Sequence, residues 1–246
     1  TVDLGCEIDN YHGPFFSYGA EAGDLDLYVL AGDSVADVSR KFTRLTGRPA
    51  LPPKWSLGYS GSTMTYTDQP DAQKAMKGFL DKLRDTQIPC QSFHLSSGYT
   101  SIGKKRYVFN WNREKFPDPA SLVQAFRERG VRFIPNVKPV LLADHPRYEE
   151  ARGLFVRDSE TDGPDLSQFW DGKGSHLDFT KPETVTWWKR NLTSTLLDLG
   201  IDAVWNDNNE YEIWDDEARV HGFGTEWPIK LGRPIQTLLM ARASSD

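Results

Sequence analysis

From residue 55 onward the chain alternates short apolar runs with longer amphipathic stretches, and this alternation decides the fold class. The apolar runs predict strands over 55–59, 89–95, 131–137 and 201–206. Between and after them, apolar residues at helical spacing predict helices over 70–85, 118–129, 182–199 and 233–243. Ala75, Phe79 and Leu83 share the inward face of the first helix, Gly130 stops the second, and Pro182 stands early in the third. Strands that alternate with helices imply a parallel sheet. Four such units are visible, whereas a closed (β/α)8 barrel takes about 250 residues. The expected fold class is therefore α/β, with residues 55–246 forming the first half of a (β/α)8 TIM-type barrel. A doubly wound fold is the alternative, but its Gly-x-Gly-x-x-Gly turn is missing. Gly58-Tyr59-Ser60-Gly61 runs into Ser, Thr and Tyr instead.

Ahead of this unit, residues 1–33 read as β. Strands are expected at Phe15–Gly19 and Leu25–Leu30, with turns at His12-Gly13-Pro14 and Ala31-Gly32-Asp33. Two strands do not make a domain, so they are expected to be the last strands of a β-sandwich that begins upstream. Residues 34–54 connect the two parts. Asp33-Ser34 cap a helix over 35–46 with Val35, Val38, Phe42 and Leu45 on one face, and Gly47 stops it. Arg48-Pro49-Ala50-Leu51-Pro52-Pro53 is a stiff linker.

Charge and composition narrow the partners. The net charge is −6 and no basic run appears, which argues against nucleic acid. No apolar run approaches the ~20 residues that span a bilayer, so no membrane partner is expected. Cys6 and Cys90 are the only cysteines, and Cys90 reads as a buried thiol in a strand, so no disulfide framework is implied. The five histidines, His12, His94, His145, His176 and His221, show no ligand spacing; neither metal nor cofactor is expected. Eight Trp, nine Tyr and thirteen Phe suit sugar stacking, although such residues also simply fill cores. Because the chain opens on Thr1, a signal peptide would not be seen, and the cytoplasm is only the default expectation.

The fourth predicted strand carries the most distinctive polar cluster. Gly200-Ile201-Asp202-Ala203-Val204-Trp205 ends abruptly in Asn206-Asp207-Asn208-Asn209-Glu210. In parallel α/β folds chemistry collects at the C-terminal ends of strands, which is where Asp207 sits. Period-2 alternation puts Ile201, Ala203, Trp205 and Asp207 on one face. An acidic surface turn is the plain alternative. A calcium loop is not, since the EF-hand ligand spacing and central glycine are absent.

Trp205-Asn206-Asp207-Asn208-Asn209-Glu210 resembles the Trp-x-Asp-Met-Asn-Glu signature of glycoside hydrolase family 31, with Asn208 in place of the usual methionine. Three earlier stretches resemble the same family in order. Leu27–Gly61 matches the passage from a β-sandwich through a helix and Pro-Pro link into a catalytic barrel. Phe109-Asn110-Trp111-Asn112 and Phe116-Pro117-Asp118-Pro119 open the second block, which runs to Phe133. Leu177-Asp178-Phe179-Thr180-Lys181-Pro182-Glu183, followed by Trp187-Trp188, is the third.

The resemblance implies a retaining α-glycosidase, most like an α-glucosidase, that forms a covalent glycosyl-aspartate; α-galactosidase or another α-glycosidase is the alternative. Such enzymes hold two carboxyl groups about 5–5.5 Å apart. Asp207 is the implied nucleophile, kept ionised by amide donors from Asn208 or Asn209. The implied acid/base aspartate follows a further barrel strand, past Asp246, so Glu210 is expected to act as a supporting acceptor that orients the pocket. Trp205, Asn208, Trp170, Tyr99, Ser97, Lys138 and His176 are the candidate sugar contacts, Trp170 as a stacking platform. Lys138 reads equally well as a partner of Asp207 or Glu210, and Asp178 as a residue that holds its own loop. Ser96-Ser97-Gly98 stands where many relatives carry an Asp-x-Asp-like segment, so a gap at Gly98 is expected to admit sugars other than glucose. The implied partners are a carbohydrate substrate and the remainder of the barrel, with a homo-oligomer as the alternative; residues 1–246 alone are expected to be inactive and self-associating. Two other classes stay open. One is a non-catalytic carbohydrate-binding relative. The other is an unrelated barrel enzyme such as an aldolase, which needs a Schiff-base lysine, and Lys138 is the only lysine at a strand end.

Overall fold

The computed structural model describes residues 5–9, 13–17 and 26–245. The chain divides into two compact units between Leu51 and Pro52.

In the first unit, β1 (Gly5–Asp9) and β2 (Gly13–Ser17) pair antiparallel. The expected strand Phe15–Gly19 overlaps β2, while Tyr18 and Gly19 lie outside the described residues. Leu25–Leu30 is not a strand where it is described. Residues 26–30 are irregular, and Leu27, Tyr28 and Val29 are exposed. The helix α1 (Val35–Thr46) begins where the sequence predicts, with the Ser34 side chain accepting from the Asp37 N–H. None of its residues is buried, so its apolar stripe is uncovered among the described residues.

The second unit opens with a 3-10 turn, Lys54–Leu57, where a strand was expected. The strand β3 (Ser60–Ser62) lies beyond it, because the parallel ladder sets Ser60 opposite Ser92. A short turn, α2 (Met64–Thr67), leads to α3 (Ala72–Thr86). Ala72, Met76 and Leu80, spaced i, i+4, form the buried stripe of α3; Phe79 and Leu83 pack beside it and Ala75 is only half-buried. The strand β4 (Ser92–Leu95) starts after Cys90, whose thiol is half-buried and free. A hairpin of β5 (Ser101–Ile102) and β6 (Lys105–Arg106) precedes α4 (Pro119–Glu128). Asp118 caps α4 by accepting from the Ser121 N–H, and Pro119 pre-sets its first turn.

The strand β7 (Arg132–Val137) is followed by β8 (Val140–Leu142), β9 (Ser167–Phe169) and β10 (Gly172–His176). The last three form a separate antiparallel sheet with β10 in the middle. After α5 (Pro182–Thr195) comes β11, confined to Trp205–Asn206 rather than 201–206. A small ladder of β12 (Arg219–Val220) and β13 (Trp227–Pro228) precedes α6 (Arg233–Ser245).

The four strands β11-β7-β4-β3 make one wholly parallel sheet, the half-barrel the alternation predicts. Phe93 and Phe133 are neighbours across its ladder, and Phe126 of α4 sets its ring 5.9 Å and 4.8 Å from theirs. A second aromatic cluster explains two sequence blocks at once. Phe109 stands edge-on to Trp187 and Trp188, and the Trp111 indole donates to the Thr195 carbonyl at 3.0 Å. These residues build the core beneath α5. Since all four strands run the same way, the segments after Ser62, Leu95, Val137 and Asn206 emerge on one side. Among the described residues no helix is long and apolar enough to cross a membrane.

Candidate active site

Asp207 follows β11 directly, and its N–H donates to the Val137 carbonyl at 2.9 Å, extending the ladder to β7 by one residue. Beyond it the chain turns sharply. Asn208 and Tyr211 both take positive φ, 50° and 58°. Asparagine tolerates this conformation; a tyrosine does so only when its surroundings hold it. Tyr211 is fully buried, its hydroxyl donates to the Leu177 carbonyl at 2.8 Å, and its own carbonyl accepts from Arg233 at 3.1 Å.

Two donors from β7 and the turn after it converge on one oxygen of Asp207. Asn136 Nδ2 donates to Oδ2 at 2.8 Å, and Lys138 Nζ makes an ion pair with the same Oδ2. Lys138 also donates to Asn208 Oδ1, and its ammonium lies 5.1 Å from the centroid of the Trp170 ring. Burial pushes the Asp207 carboxyl up, but the hydrogen bonds from Lys138 and Asn136 and the lysine charge outweigh it and hold the carboxyl below its ordinary range. The expected amide donors were Asn208 or Asn209. The Asn208 backbone amide does serve, while the side-chain amide is that of Asn136, since the Asn208 side-chain oxygen accepts from Lys138.

Beside this cluster lies a cleft of about 350 Å³. Lys138, Asn136, Asn208, Trp170, His176 and Glu210 all line it. Asp207 is not part of the wall itself; with 27% of its side chain exposed, it stands behind the Asn136 and Lys138 groups that hold it. Trp170 is 79% exposed and open to a ligand. His176 is buried between Phe169 and Tyr211, with ring centroids at 5.1 Å and 5.0 Å. Burial, aided by the charge of Arg233, drives its imidazole down to about 3, so it is neutral at ordinary pH.

The remaining expectations separate. Glu210 is exposed on the cleft and makes no hydrogen bond or ion pair with a described residue, so no bond ties it to Asp207. Trp205 is half-buried in β11, edge-on to His94 at 5.9 Å, and does not line the cleft. Ser97 and Tyr99 are buried in a 3-10 turn after β4 and do not line it either. The Tyr99 hydroxyl instead donates to the Asn136 carbonyl at 2.8 Å, bracing the strand that carries the site. The expected gap at Gly98 is closed, since a Cβ there would stand 2.6 Å from Thr67 Oγ1 and 2.7 Å from Asp68 Oδ1. Asp178 is buried and accepts from Thr180, His221 and Gln236, holding its loop as expected. In the sequence Asn136 stands with Lys138 among the candidates at the end of the third strand but was given no role, although it pairs with Trp205 in the ladder. A parallel register would have found it.

Comparison with known proteins places this geometry in a family. Residues 49–243 match the family model described as the glycosyl hydrolases family 31 TIM-barrel domain. The chain is 31% identical over 220 residues to Alpha-glucosidase 2 of Bacillus thermoamyloliquefaciens, covering 88% of this chain and 26% of that protein. It is 29% identical over 209 residues to Alpha-xylosidase XylQ of Lactiplantibacillus pentosus, covering 84% of this chain and 27% of the relative. Among solved structures, the family 31 dextranase of Flavobacterium johnsoniae complexed with glucose superposes with a TM-score of 0.72 at 22% identity, over 87% of this chain and 26% of that one. The chain thus spans about a quarter of the length of these proteins. It belongs to glycoside hydrolase family 31, and its second unit is part of that family's TIM barrel.

Proposed function

We propose that this chain supplies the nucleophile half of a retaining α-glycosidase site, with Asp207 as the residue that forms the glycosyl-enzyme. The observation that carries this reading is the convergence of Asn136 and Lys138 on Oδ2, which leaves Oδ1 without a side-chain donor. A carboxylate held ionised and gripped by side-chain donors at one oxygen only is suited to in-line attack on an anomeric carbon through the other. The exposed Trp170 offers a flat face for a sugar ring, and His176 a neutral polar wall. Relatives named as an α-glucosidase and an α-xylosidase match at similar identity, so we assign the substrate as a neutral α-linked glucosyl or xylosyl unit.

Retention needs a second carboxyl about 5–5.5 Å from the first. Glu210 and Glu212 line the cleft but are exposed and unrestrained, and Asp171, the other carboxyl on its wall, is engaged by Arg106, so we assign the acid/base role to a carboxyl on a later strand of the barrel. The partner of this half-barrel is then the rest of the barrel, joined at the free edges of β3 and β11.

The test is covalent. In the protein carrying its whole barrel, a 2-deoxy-2-fluoro α-glucosyl or α-xylosyl fluoride should label Asp207, identified by peptide mass. Asp207→Asn should cut turnover by about a thousandfold or more while the fold is kept. Label on Glu210 or Glu212 instead would sink the assignment.

A further inference from the structure

Lys138 stands where a lysine is costly to chemistry of this kind. A cation beside a nucleophilic carboxylate stabilises the ground state and opposes the positive charge that grows on the sugar in the transition state. Nonetheless its ammonium is fixed from three sides, by Asp207 Oδ2, by Asn208 Oδ1 and by the face of Trp170. The amide of Asn136 approaches the same Oδ2. Once Oδ1 is bonded to the anomeric carbon, Oδ2 becomes the carbonyl oxygen of an ester. Both donors then act on that carbonyl.

We propose that Lys138 is a positioning residue for the second half of the reaction, activating the glycosyl-aspartate ester for hydrolysis. This rests on Asp207 being the nucleophile. In the first step Oδ1 bonds to the anomeric carbon while the glycosidic C–O bond breaks, and the departing oxygen takes a proton from the acid/base carboxyl. In the second step water bonds to the anomeric carbon and gives its proton to that same carboxyl, now ionised, while the C–Oδ1 bond breaks. Its electron pair returns to the Asp207 carboxylate, whose regained charge meets the ammonium already in place. Lys138 thus slows attack slightly and speeds release, so its loss divides the two steps.

The experiment is a pre-steady-state comparison of wild-type protein with Lys138→Met and Lys138→Arg, each in the protein with its whole barrel, using 4-nitrophenyl α-glucoside and α-xyloside. In Lys138→Met, kcat should fall by about tenfold to a hundredfold while kcat/KM holds or rises, so KM falls with kcat. A burst of nitrophenolate close to one equivalent per site should appear, and intact mass should show the protein heavier by one glycosyl unit. Lys138→Arg keeps the charge and should lose most of the burst. Thermal unfolding of each variant separates a folding defect, and Lys138→Gln, which keeps a donor without the charge, serves if Lys138→Met does not fold. Equal loss in kcat and kcat/KM without a burst would overturn the role of Lys138 but leave Asp207 as nucleophile. Absence of turnover and of fluoro-sugar labelling in the wild type would instead overturn the reading on which it rests.

Discussion

The imidazole of His176 lies against the ring of Tyr211, centroids 5.0 Å apart and planes 29° from parallel, and neither face of that stack reaches bulk water. Tyr211 anchors the turn after Asp207, while His176 ends the central strand of the antiparallel sheet, so this contact ties the Asp207 loop to the cleft wall. The tie depends on His176 being uncharged. No described group accepts a hydrogen bond from its buried Nδ1.

A pH dependence of stability follows. The folded imidazole is held near 3, whereas an unfolded histidine titrates near about 6.5. Between those values the unfolded chain takes up a proton that the folded chain refuses, so stability is full above about pH 6.5 and is lost as pH falls toward 3. The loss is at most on the order of 5 kcal/mol. Urea unfolding of wild type and His176→Phe from pH 7 to pH 4 should show a shallower decline in the variant, which keeps the stack without the ionisation. Parallel declines would remove His176 as the cause.

The acid limb of catalysis should report Lys138. Because its hydrogen bond and charge, with the Asn136 hydrogen bond, outweigh burial, the Asp207 carboxyl ionises below its ordinary range. The low-pH limb of kcat/KM, which follows the free enzyme, is expected below the ordinary aspartate range in the wild type. In Lys138→Met only burial and the Asn136 and backbone donors remain, and the limb should move upward. A limb that stays in place would mean that another group sets it.

Much of this was legible in the sequence, and what was not has physical causes. The helices α3, α4, α5 and α6 were found because their apolar spacing, caps and prolines are local signals. The first strand was misplaced because Ser60-Gly61-Ser62 has no apolar signal; it is a strand because Gly61 leaves room for Phe93, whose ring would stand 3.0 Å from an added Cβ. Asp207 stands out in the sequence through its motif and its place at a strand end. Its partnership with Asn136 was hidden, since only the β7–β11 register brings residues so far apart in sequence together. Trp205 and Tyr99 read as sugar contacts because an aromatic at a strand end looks the same whether it faces ligand or core.

Gly98 offers a test of that last distinction. The sequence alone reads it as a gap in the sugar site, but the space above it belongs to Thr67 and Asp68. Thr67 is fully buried, and its Cβ would be 2.9 Å from a new methyl group. Gly98→Ala should therefore destabilise the unit by about 1–3 kcal/mol. The ratio of glucoside to xyloside turnover should stay unchanged in whatever fraction folds. A changed ratio at unchanged stability would return Gly98 to the substrate site.

The sheet edges set the behaviour of the chain on its own. Among the described residues both β3 and β11 have a neighbour on one side only, and β11 is just two residues long, ending next to Asp207. Unpaired parallel edges bind other strands, and here no bulge or proline blunts them. Residues 1–246 produced alone should therefore self-associate, as read by light scattering across a concentration series, and should not turn over aryl α-glycosides. Adding the remainder of the barrel as a separate chain should reduce the association and restore turnover together, because one event covers both edges and brings the second carboxyl to the cleft. A monomeric, active chain would show instead that the acid role lies within these residues, and Glu210, Glu212 and Asp171, the carboxylates that line the cleft, would be the ones to mutate first.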